Sequence, residues 1–244
     1  MKRPALLDPQ RLEFPAPEHA LREPDGLLAV GGDLSPQRLL AAYRRGIFPW
    51  FGEGDPILWW SPDPRCVFRT DALHVPQRLL RSLRRSRWTL SLDTAFAEVI
   101  NACAAPRADA AGTWITPTMR AAYLRLHELG HAHSFEVRDG TRLIGGLYGV
   151  AVGALFAGES MFSASSGGSR TALLAAVRLL ARWGWPLLDA QVANPHLLRM
   201  GAIELPRRDF LDSVAVLAAA EGRPGPWGAL LPWRHASELV ATPG

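Results

Sequence analysis

From Arg142 to Phe162 the chain reads RLIGGLYGVAVGALFAGESMF, and from Leu187 to Val192 it reads LLDAQV. Both runs are almost wholly apolar or glycine, the pattern of strands covered on both faces. Gly153 divides the first into a predicted hairpin of residues 142–150 and 154–161, and His133 to Val137 predicts a further strand before the turn signal Asp139-Gly140. Helical patterns surround these strands. Ser35 as N-cap, Pro36 at the first helical position, apolar Leu39, Leu40 and Tyr43, and Gly46 past the end predict one helix. Pro76 to Trp88 (PQRLLRSLRRSRW) predicts an amphipathic second, with Leu79, Leu80 and Leu83 on one face and Arg78, Arg81 and Arg85 on another. Further helices are predicted from Asp93 to Cys103, from Pro117 to Leu129 with Gly130 as terminator, and from Thr171 to Trp183 with Gly184 after it. A short helix follows the break at Asn194-Pro195 and runs to Met200, and Asp209 caps a last one. From Gly222 onward the Pro/Gly-rich tail predicts no regular element, and no internal repeat is present.

Residues 1–66 stand apart. Pro15, Pro17, Pro24, Pro36, Pro49, Pro56, Pro62 and Pro64 break this segment into short pieces, and IFPWF (Ile47 to Phe51) and ILWWSPDPR (Ile57 to Arg65) crowd it with aromatics. Large aromatics are the ordinary core of a small Pro-rich unit, and they also suit base stacking beside arginines. The remainder, 67–244, holds the strand-rich region. The 244 residues are 48% apolar and 20% charged, ordinary values for a folded protein. Net charge is +4, with Lys2 the lone lysine beside 26 arginines (27 − 1). Arginine forks suit phosphate and carboxylate, although an Ala-, Pro- and Arg-rich chain also reflects genome composition. Cys66 and Cys103 make neither a disulfide framework nor a metal spacing. The N-terminus lacks the apolar core of a signal peptide and no apolar run reaches a bilayer span, so a cytoplasmic protein without a membrane partner is expected.

Charged groups are costly in strands that read as buried. Glu159 is the one carboxylate of the 142–162 run, and LLDAQV carries Asp189 and Gln191. Two residues apart in a strand, Asp189 and Gln191 are expected on one face. If their strand neighbours that of Glu159, the three converge beside an apolar cavity, the common form of a small-ligand site. A buried hydrogen-bonding pair joining two strands accounts for them equally well. Other patterns are weaker. HELGH, His127 to His131, matches the zinc-hydrolase spacing, but Gly130 ends the helix on which both histidines would have to stand, so no metal is expected. Ser160 lacks the second glycine of a nucleophile elbow. The loop Ser163 to Ser169 resembles an anion cradle at a helix start without a Walker or Rossmann spacing. The arginine row of 76–88 is an ordinary solvated face or, with no acid to neutralise it, a surface for an anionic partner.

Taken together, LREPDGLLAVGGDLSP, YRRGIFPWF, GDPILWWSPDPR, GTWITP, YLRLHELGHAHS, GGLYGV, GESMF, TALL, LDAQV, HLLRMGA and PRRDF resemble the bacterial leucyl/phenylalanyl-tRNA–protein transferases, from about residue 14 to 211. The resemblance implies an α+β protein, with a small N-terminal domain (1–66) contributing to the tRNA 3′-end site. A catalytic domain (67–244) of acetyltransferase-like (GNAT) fold would follow, with a mixed central sheet flanked by helices. It implies transfer of Leu or Phe, Met less well, from aminoacyl-tRNA to the N-terminal Arg or Lys of an acceptor protein, marking it for degradation by the N-degron route. No cofactor is implied, neither metal, ATP nor coenzyme A, and a monomer is expected. By the same carry-over Asp189, Gln191 and Glu159 surround the reacting amine. Leu147, Phe156, Leu173 and Leu188 line the Leu/Phe pocket, with small Ala176 facing it. Trp50 and Trp114 stack on the terminal adenine, and Arg78, Arg81 and Arg85 touch the acceptor stem.

An aminoacyl ester is already activated, so amide formation needs no ATP; positioning supplies most of the catalysis, up to ~7–11 kcal/mol. In one scheme Asp189 polarises the Gln191 amide, whose oxygen takes the amine proton. An amide oxygen is a very weak base, so a hydrogen-bonding role for Gln191, with Asp189 as anchor and the proton passing to ribose, is the easier chemistry. Glu159 can also hold the acceptor's cation. The chain departs from the family pattern at Gly168-Ser169-Arg170, where Ala-Ser-Lys is common, and at Pro195. Two other readings remain at this stage: a coenzyme-A acyltransferase whose 163–169 loop binds pyrophosphate, and a non-catalytic tRNA-binding module.

Overall fold

The computed structural model describes residues 3–105 and 113–241; Lys2, and Gly112 of the GTWITP block, lie outside them. A small sheet is built from β1 (Ala5–Leu7), β2 (Leu27–Gly31), β3 (Phe48–Pro49) and β4 (Leu58–Trp60) in the order β1-β2-β4-β3. It is parallel between β1 and β2 and antiparallel elsewhere. A larger sheet takes β5 (Arg65–Arg69), β6 (Thr89–Leu92), β7 (Ala132–Asp139), β8 (Arg142–Val152), β9 (Leu155–Ser163), β10 (Leu187–Gln191) and β11 (Ile203–Leu205), in the order β11-β5-β10-β9-β8-β7-β6. Of its neighbours only β9 and β10 run parallel. The architecture is mixed α+β, with two mixed sheets and eight α-helices among the described residues.

The apolar run of β8 and β9 follows from burial on both faces. Along β8, Leu147 and Ala151 join one core, with β10 and the helix after the Ser/Gly loop, while Tyr148, Val150 and Val152 join another. The second core is shared with the small sheet, so residues of the first sixty reach the face that carries Glu159. β5 and β11 were not expected from the pattern, nor were the strands of the small sheet. All are short and sit among prolines, arginines or acids, where an apolar period has no room to show.

Helix α1 (Pro36–Tyr43) starts as its capping residue predicts, with Ser35 Oγ accepting from the Arg38 amide at 3.3 Å. Helix α2 (Gln77–Arg84) stops before Trp88, because Thr89–Leu92 leaves as edge strand β6. Helix α3 (Phe96–Ala104) begins after Asp93, which turns at φ +58° and accepts from the Ser134 and Trp227 amides at 2.9 and 2.8 Å. Helix α4 (Pro117–Glu128) is capped by Thr116 and ends before Gly130, at φ +76°, a left-handed turn that glycine adopts without strain. Helix α5 (Gly168–Arg182) starts ahead of the expected Thr171; Gly168 approaches β8 so closely that a Cβ there would lie 2.3 Å from the Ile144 carbonyl oxygen. Helix α6 (Pro195–Arg199) is capped by Asn194 Oδ1, which accepts from the His196 and Leu197 amides, each at 2.9 Å. Helix α7 (Arg207–Ala219) begins after Pro206, so Asp209 stands inside the first turn and is not the cap. The tail is less irregular than expected: it carries α8 (Glu238–Ala241) and buries Trp227, Trp233 and Leu239. No described helix is long and apolar enough to cross a membrane.

Candidate active site

Glu159, in the middle of β9 and not at a strand end, is the meeting point of three elements. Tyr43 from the end of α1 donates to Oε1 at 2.7 Å, and Tyr123 from α4 donates to Oε2 at 2.7 Å. The Gln191 side-chain amide donates to Oε1 at 2.8 Å. The two phenol oxygens also approach each other to 2.6 Å. Burial pushes the Glu159 carboxyl up to about 7, against the lowering effect of these hydrogen bonds, and the Asp189 charge adds to the rise. Burial, then the Glu159 charge, raises both phenols well above their ordinary range, which keeps them as donors. Tyr148 packs edge-on to Tyr123 at 5.6 Å between ring centroids, and its buried hydroxyl has no protein partner among the described residues.

Asp189 is arranged differently from expectation. Arg65 grips it bidentately, Nε to Oδ1 at 2.8 Å and Nη2 to Oδ2 at 2.7 Å, and both residues are 1% exposed. The guanidinium lies between the rings of Phe48 and Phe210, 4.7 and 4.6 Å from their centroids. Asp189 Oδ1 also accepts the backbone N–H of Gln191 at 2.9 Å. The Gln191 side-chain amide is bonded to Glu159 and not to Asp189, so the polarisation scheme has no bond to act through. A bulge between Asp189 and Gln191, with Gln191 at φ +63°, breaks the simple alternation of the strand. Asp189 is turned onto Arg65, while the Gln191 amide reaches Glu159 at the wall of a cleft.

That cleft has a volume of about 1700 Å³. Leu147, Leu173 and Leu188 line it, as do Phe68, Met161, Glu159 and Gln191. Phe156 and Ala176 do not: both are fully buried in the core behind the lining, Phe156 with its ring against Phe135 and Trp227. Trp50 (43% exposed) and Trp114 also line the cleft, and Trp50 is braced by Trp60, whose Nε1 donates to the Trp50 carbonyl at 2.6 Å. Arg78 and Arg81 on the exposed face of α2, and Arg85 just past its end, do not line the cleft and have no carboxylate partner among the described residues. Leu79, on the opposite, buried face of the same helix, packs near Gly167 of the cleft lining.

The Ser/Gly loop is a poor anion cradle in its first half. The amides of Ala164 and Ser165 donate to the Ile144 carbonyl, that of Gly168 to Ser165, and that of Ser169 to Ser163 Oγ. In HELGH, Gly130 separates the two histidines by a left-handed turn. His127 stacks on Phe96 at 4.3 Å with Nδ1 2.8 Å from the Ala132 carbonyl oxygen. His133 instead pairs with Asp93 at 2.8 Å and stacks on Trp227. Cys66 and Cys103 are buried and not joined in a disulfide, and burial together with the Asp189 charge pushes the Cys66 thiol up to about 12, which keeps it protonated.

Sequence reasoning missed Tyr43, Tyr123 and Arg65. The tyrosines read as core positions of helices, and nothing local marks them. Arg65 had a usable signal, since a lone arginine heading the apolar run Arg65-Cys66-Val67-Phe68 needs a buried partner, and Asp189 is a lone acid in another.

Fold and site together define an α+β protein with an open cleft whose apolar pocket, tyrosine-held carboxylate, exposed tryptophan and nearby arginines suit a large ligand bearing an aromatic group and negative charge. Comparison gives the family. The model of the leucyl/phenylalanyl-tRNA protein transferase N-terminal domain matches residues 32–63, and that of leucyl/phenylalanyl-tRNA protein transferase matches residues 67–215. The chain is 61% identical over 238 residues to the leucyl/phenylalanyl-tRNA–protein transferase of Xanthomonas axonopodis pv. citri (strain 306), covering 97% of this chain and 96% of the relative. It is 57% identical over 239 residues to that of Xylella fastidiosa (strain M23), covering 97% and 98%. The chain belongs to the leucyl/phenylalanyl-tRNA–protein transferase family. A solved structure of a functionally unknown conserved protein from Staphylococcus epidermidis ATCC 12228 is similar at 11% identity and a TM-score of 0.39 over 59% of this chain and 57% of that one, too low to bear on the fold.

Proposed function

We propose that this protein transfers Leu or Phe, and Met less well, from aminoacyl-tRNA to the N-terminal Arg or Lys of acceptor proteins, marking them for the N-degron route. Family membership over nearly the whole chain supports aminoacyl transfer. The observation that carries the site assignment is the hydrogen-bonded Glu159–Gln191 pair at the wall of the cleft. Because the Gln191 nitrogen is engaged by Glu159, its carbonyl oxygen is the group left for a ligand. It accepts an N–H of the attacking amine and orients the lone pair, and Glu159 holds the acceptor's cationic side chain.

The amine nitrogen then attacks the ester carbonyl, the bond from that carbon to the ribose oxygen breaks, and the amine proton ends on ribose. No strong base is required, since an α-amine with a pKa near ~8 has a useful neutral fraction at neutral pH. Asp189 works at one remove: with Arg65 it fixes the left-handed turn that presents Gln191. Leu147, Leu173 and Leu188 take the Leu or Phe side chain, with Phe156 and Ala176 setting the wall behind them. Trp50 and Trp114 stack on the terminal adenine, and Arg78, Arg81 and Arg85 hold the acceptor-stem backbone without reading sequence. Residues 1–66 serve as a small domain at the tRNA 3′ end and 67–244 as a catalytic domain of acetyltransferase-like fold. The separate family models on either side of residues 63–67 support that division. The enzyme works in the cytoplasm as a monomer.

Transfer of labelled Leu from Leu-tRNA to an Arg-initiated peptide, and not to an Asp-initiated one, is the test. Folded protein that transfers to neither ends the proposal.

A further inference from the structure

A second group of cationic side chains lines the same cleft, carried by elements other than β9 and α2. Arg170 is in the first turn of α5, one turn before the pocket residue Leu173; Arg199 and His196 are on α6. All three line the cleft, although β10 and most of α5 lie between them along the chain. Asn194 fixes α6 where it is, through the two amides it caps. Among the described residues neither arginine has a carboxylate partner, and neither makes a side-chain hydrogen bond to protein. The three groups also act on one another. Burial, then Arg170, then Arg199 holds the His196 imidazole below its ordinary range, so it adds no third charge at neutral pH. Like charges kept together and unneutralised at a cleft rim are costly unless a ligand supplies the opposite sign.

We infer that Arg170 and Arg199 form a subsite for a single phosphodiester, the one on the 5′ side of the terminal nucleoside whose aminoacyl group occupies the leucine-lined pocket. This rests on the reading that an aminoacylated 3′ end enters the cleft. The spacing of parts follows from it: Leu173 touches the aminoacyl side chain, and Arg170, one helical turn earlier and less buried, meets the backbone that must leave the cleft. Two guanidinium groups on separate helices can grip two oxygens of one phosphate. The amides of Ser166 and Gly167, at the start of α5 in the same cleft, make no hydrogen bond among the described residues and add partial positive charge. The pyrophosphate of a coenzyme-A ligand would present the same chemistry. It would need a run of free loop amides, and those of Ala164, Ser165, Gly168 and Ser169 are already engaged.

Two minimal donors separate the claims: 3′-O-leucyl-adenosine and the same molecule carrying a 5′-phosphate, each assayed for transfer to an Arg-initiated peptide. In the unsubstituted enzyme the phosphorylated donor is expected to show a kcat/KM about tenfold higher, from charge-assisted hydrogen bonds at a partly exposed site. In Arg170→Gln and Arg199→Gln the ratio between donors falls, and in the double variant it approaches one. The ratio is measured within one preparation, so a reduced folded fraction cancels. Equal use of both donors by the unsubstituted enzyme, or a ratio that survives the double substitution, overturns the subsite. Inhibition by acetyl-CoA at submillimolar concentration that is lost in Arg170→Gln also overturns it, in favour of a pyrophosphate site. Transfer from neither donor nor from Leu-tRNA is a different failure, that of the transferase reading itself.

Discussion

The Arg65–Asp189 pair separates two roles that a simple activity assay would merge, folding and positioning. Both charges are almost fully buried, and the guanidinium is enclosed by Phe48 and Phe210. Arg65→Met leaves the Asp189 carboxylate without its two charge-assisted hydrogen bonds; Asp189→Asn leaves the guanidinium charge between two aromatic rings. Removing one member of a buried pair costs about 3–5 kcal/mol, because the other charge stays desolvated and unmatched. For a domain of this size that is a fall in melting temperature of roughly 6–20 °C. The double variant Arg65→Met with Asp189→Asn removes both charges and keeps an Oδ1 acceptor for the Gln191 amide. It is expected to melt well above either single variant, with a coupling of the sign and order found for contacting charges. Thermal melts of the four proteins, followed by circular dichroism, complete the cycle. Purely additive effects, or single variants that melt with the parent, would refute the reasoning that the pair is held by mutual compensation. If the double variant folds yet transfers Leu slowly with an unchanged KM for tRNA, Asp189 is shown to act through the Gln191 turn.

Other outcomes follow from the same geometry. The Glu159 pKa is raised by folding from 4.5 to about 7, so its contribution to stability is whole at pH below about 4.5 and is lost as pH rises through about 7. Glu159→Gln is therefore expected to flatten that alkaline loss in melts between pH 5 and 8, and an unchanged pH dependence would count against a raised carboxyl. Tyr43→Phe and Tyr123→Phe each remove a hydrogen bond that favours the ionised carboxylate, so the transfer–pH profile should move to higher pH and KM for the acceptor peptide should rise about tenfold; a profile that does not move argues against Glu159 as the cation's partner. Trp50→Ala, at an exposed side chain, should weaken aminoacyl-tRNA binding by roughly 5- to 150-fold while leaving the melting temperature in place. Trp114→Ala should lower both, because that ring also packs against the core. Neutralising Arg78, Arg81 and Arg85 together should reduce the slope of log affinity against log salt by about 0.7–0.9 for each phosphate they neutralise, equally for all tRNA sequences.

How much of this was legible in the chain depends on the range of the forces concerned. The β8–β9 hairpin, α1 and the end of α4 were, because burial on two faces, a capping serine and a left-handed glycine leave local marks. A short-range rule, the rarity of polar groups in apolar strands, also singled out Glu159 and Gln191, whose side chains meet at the cleft wall. The short strands of the small sheet, β5, β6 and β11 were not, since their pairing is decided by neighbours far away in the chain. The same holds for Tyr43 and Tyr123, whose importance lies in meeting at Glu159 across 116 and 36 residues of sequence. The expected common face for Asp189 and Gln191 failed for a local reason, the bulge and the positive φ of Gln191. The tryptophans show both sides of one ambiguity: Trp59 is a core residue and Trp50 is open to the cleft, and nothing in IFPWF or ILWW distinguishes them without the fold.

Proton counting connects the tyrosines to the proposed chemistry. Tyr43, Tyr123 and Glu159 approach one another through three short oxygen–oxygen distances, of 2.7, 2.7 and 2.6 Å. The two phenols bring two protons, so with an ionised carboxylate one of the three has no hydrogen in it. A proton on Glu159 fills the third, and burial, which raises this carboxyl to about 7 against the lowering effect of its hydrogen bonds, favours that protonated form. An acceptor that brings a fixed positive charge to Glu159 reverses the preference: the carboxylate then gains more from the cation than from the proton, and gives the proton up. Under the proposed function, selection for Arg or Lys at the acceptor's N-terminus would follow from that exchange, since a neutral side chain would have to desolvate beside a carboxyl it cannot ionise. In the proposed mechanism Glu159 discriminates among acceptors, Gln191 orients the amine, and the activated ester supplies the driving force.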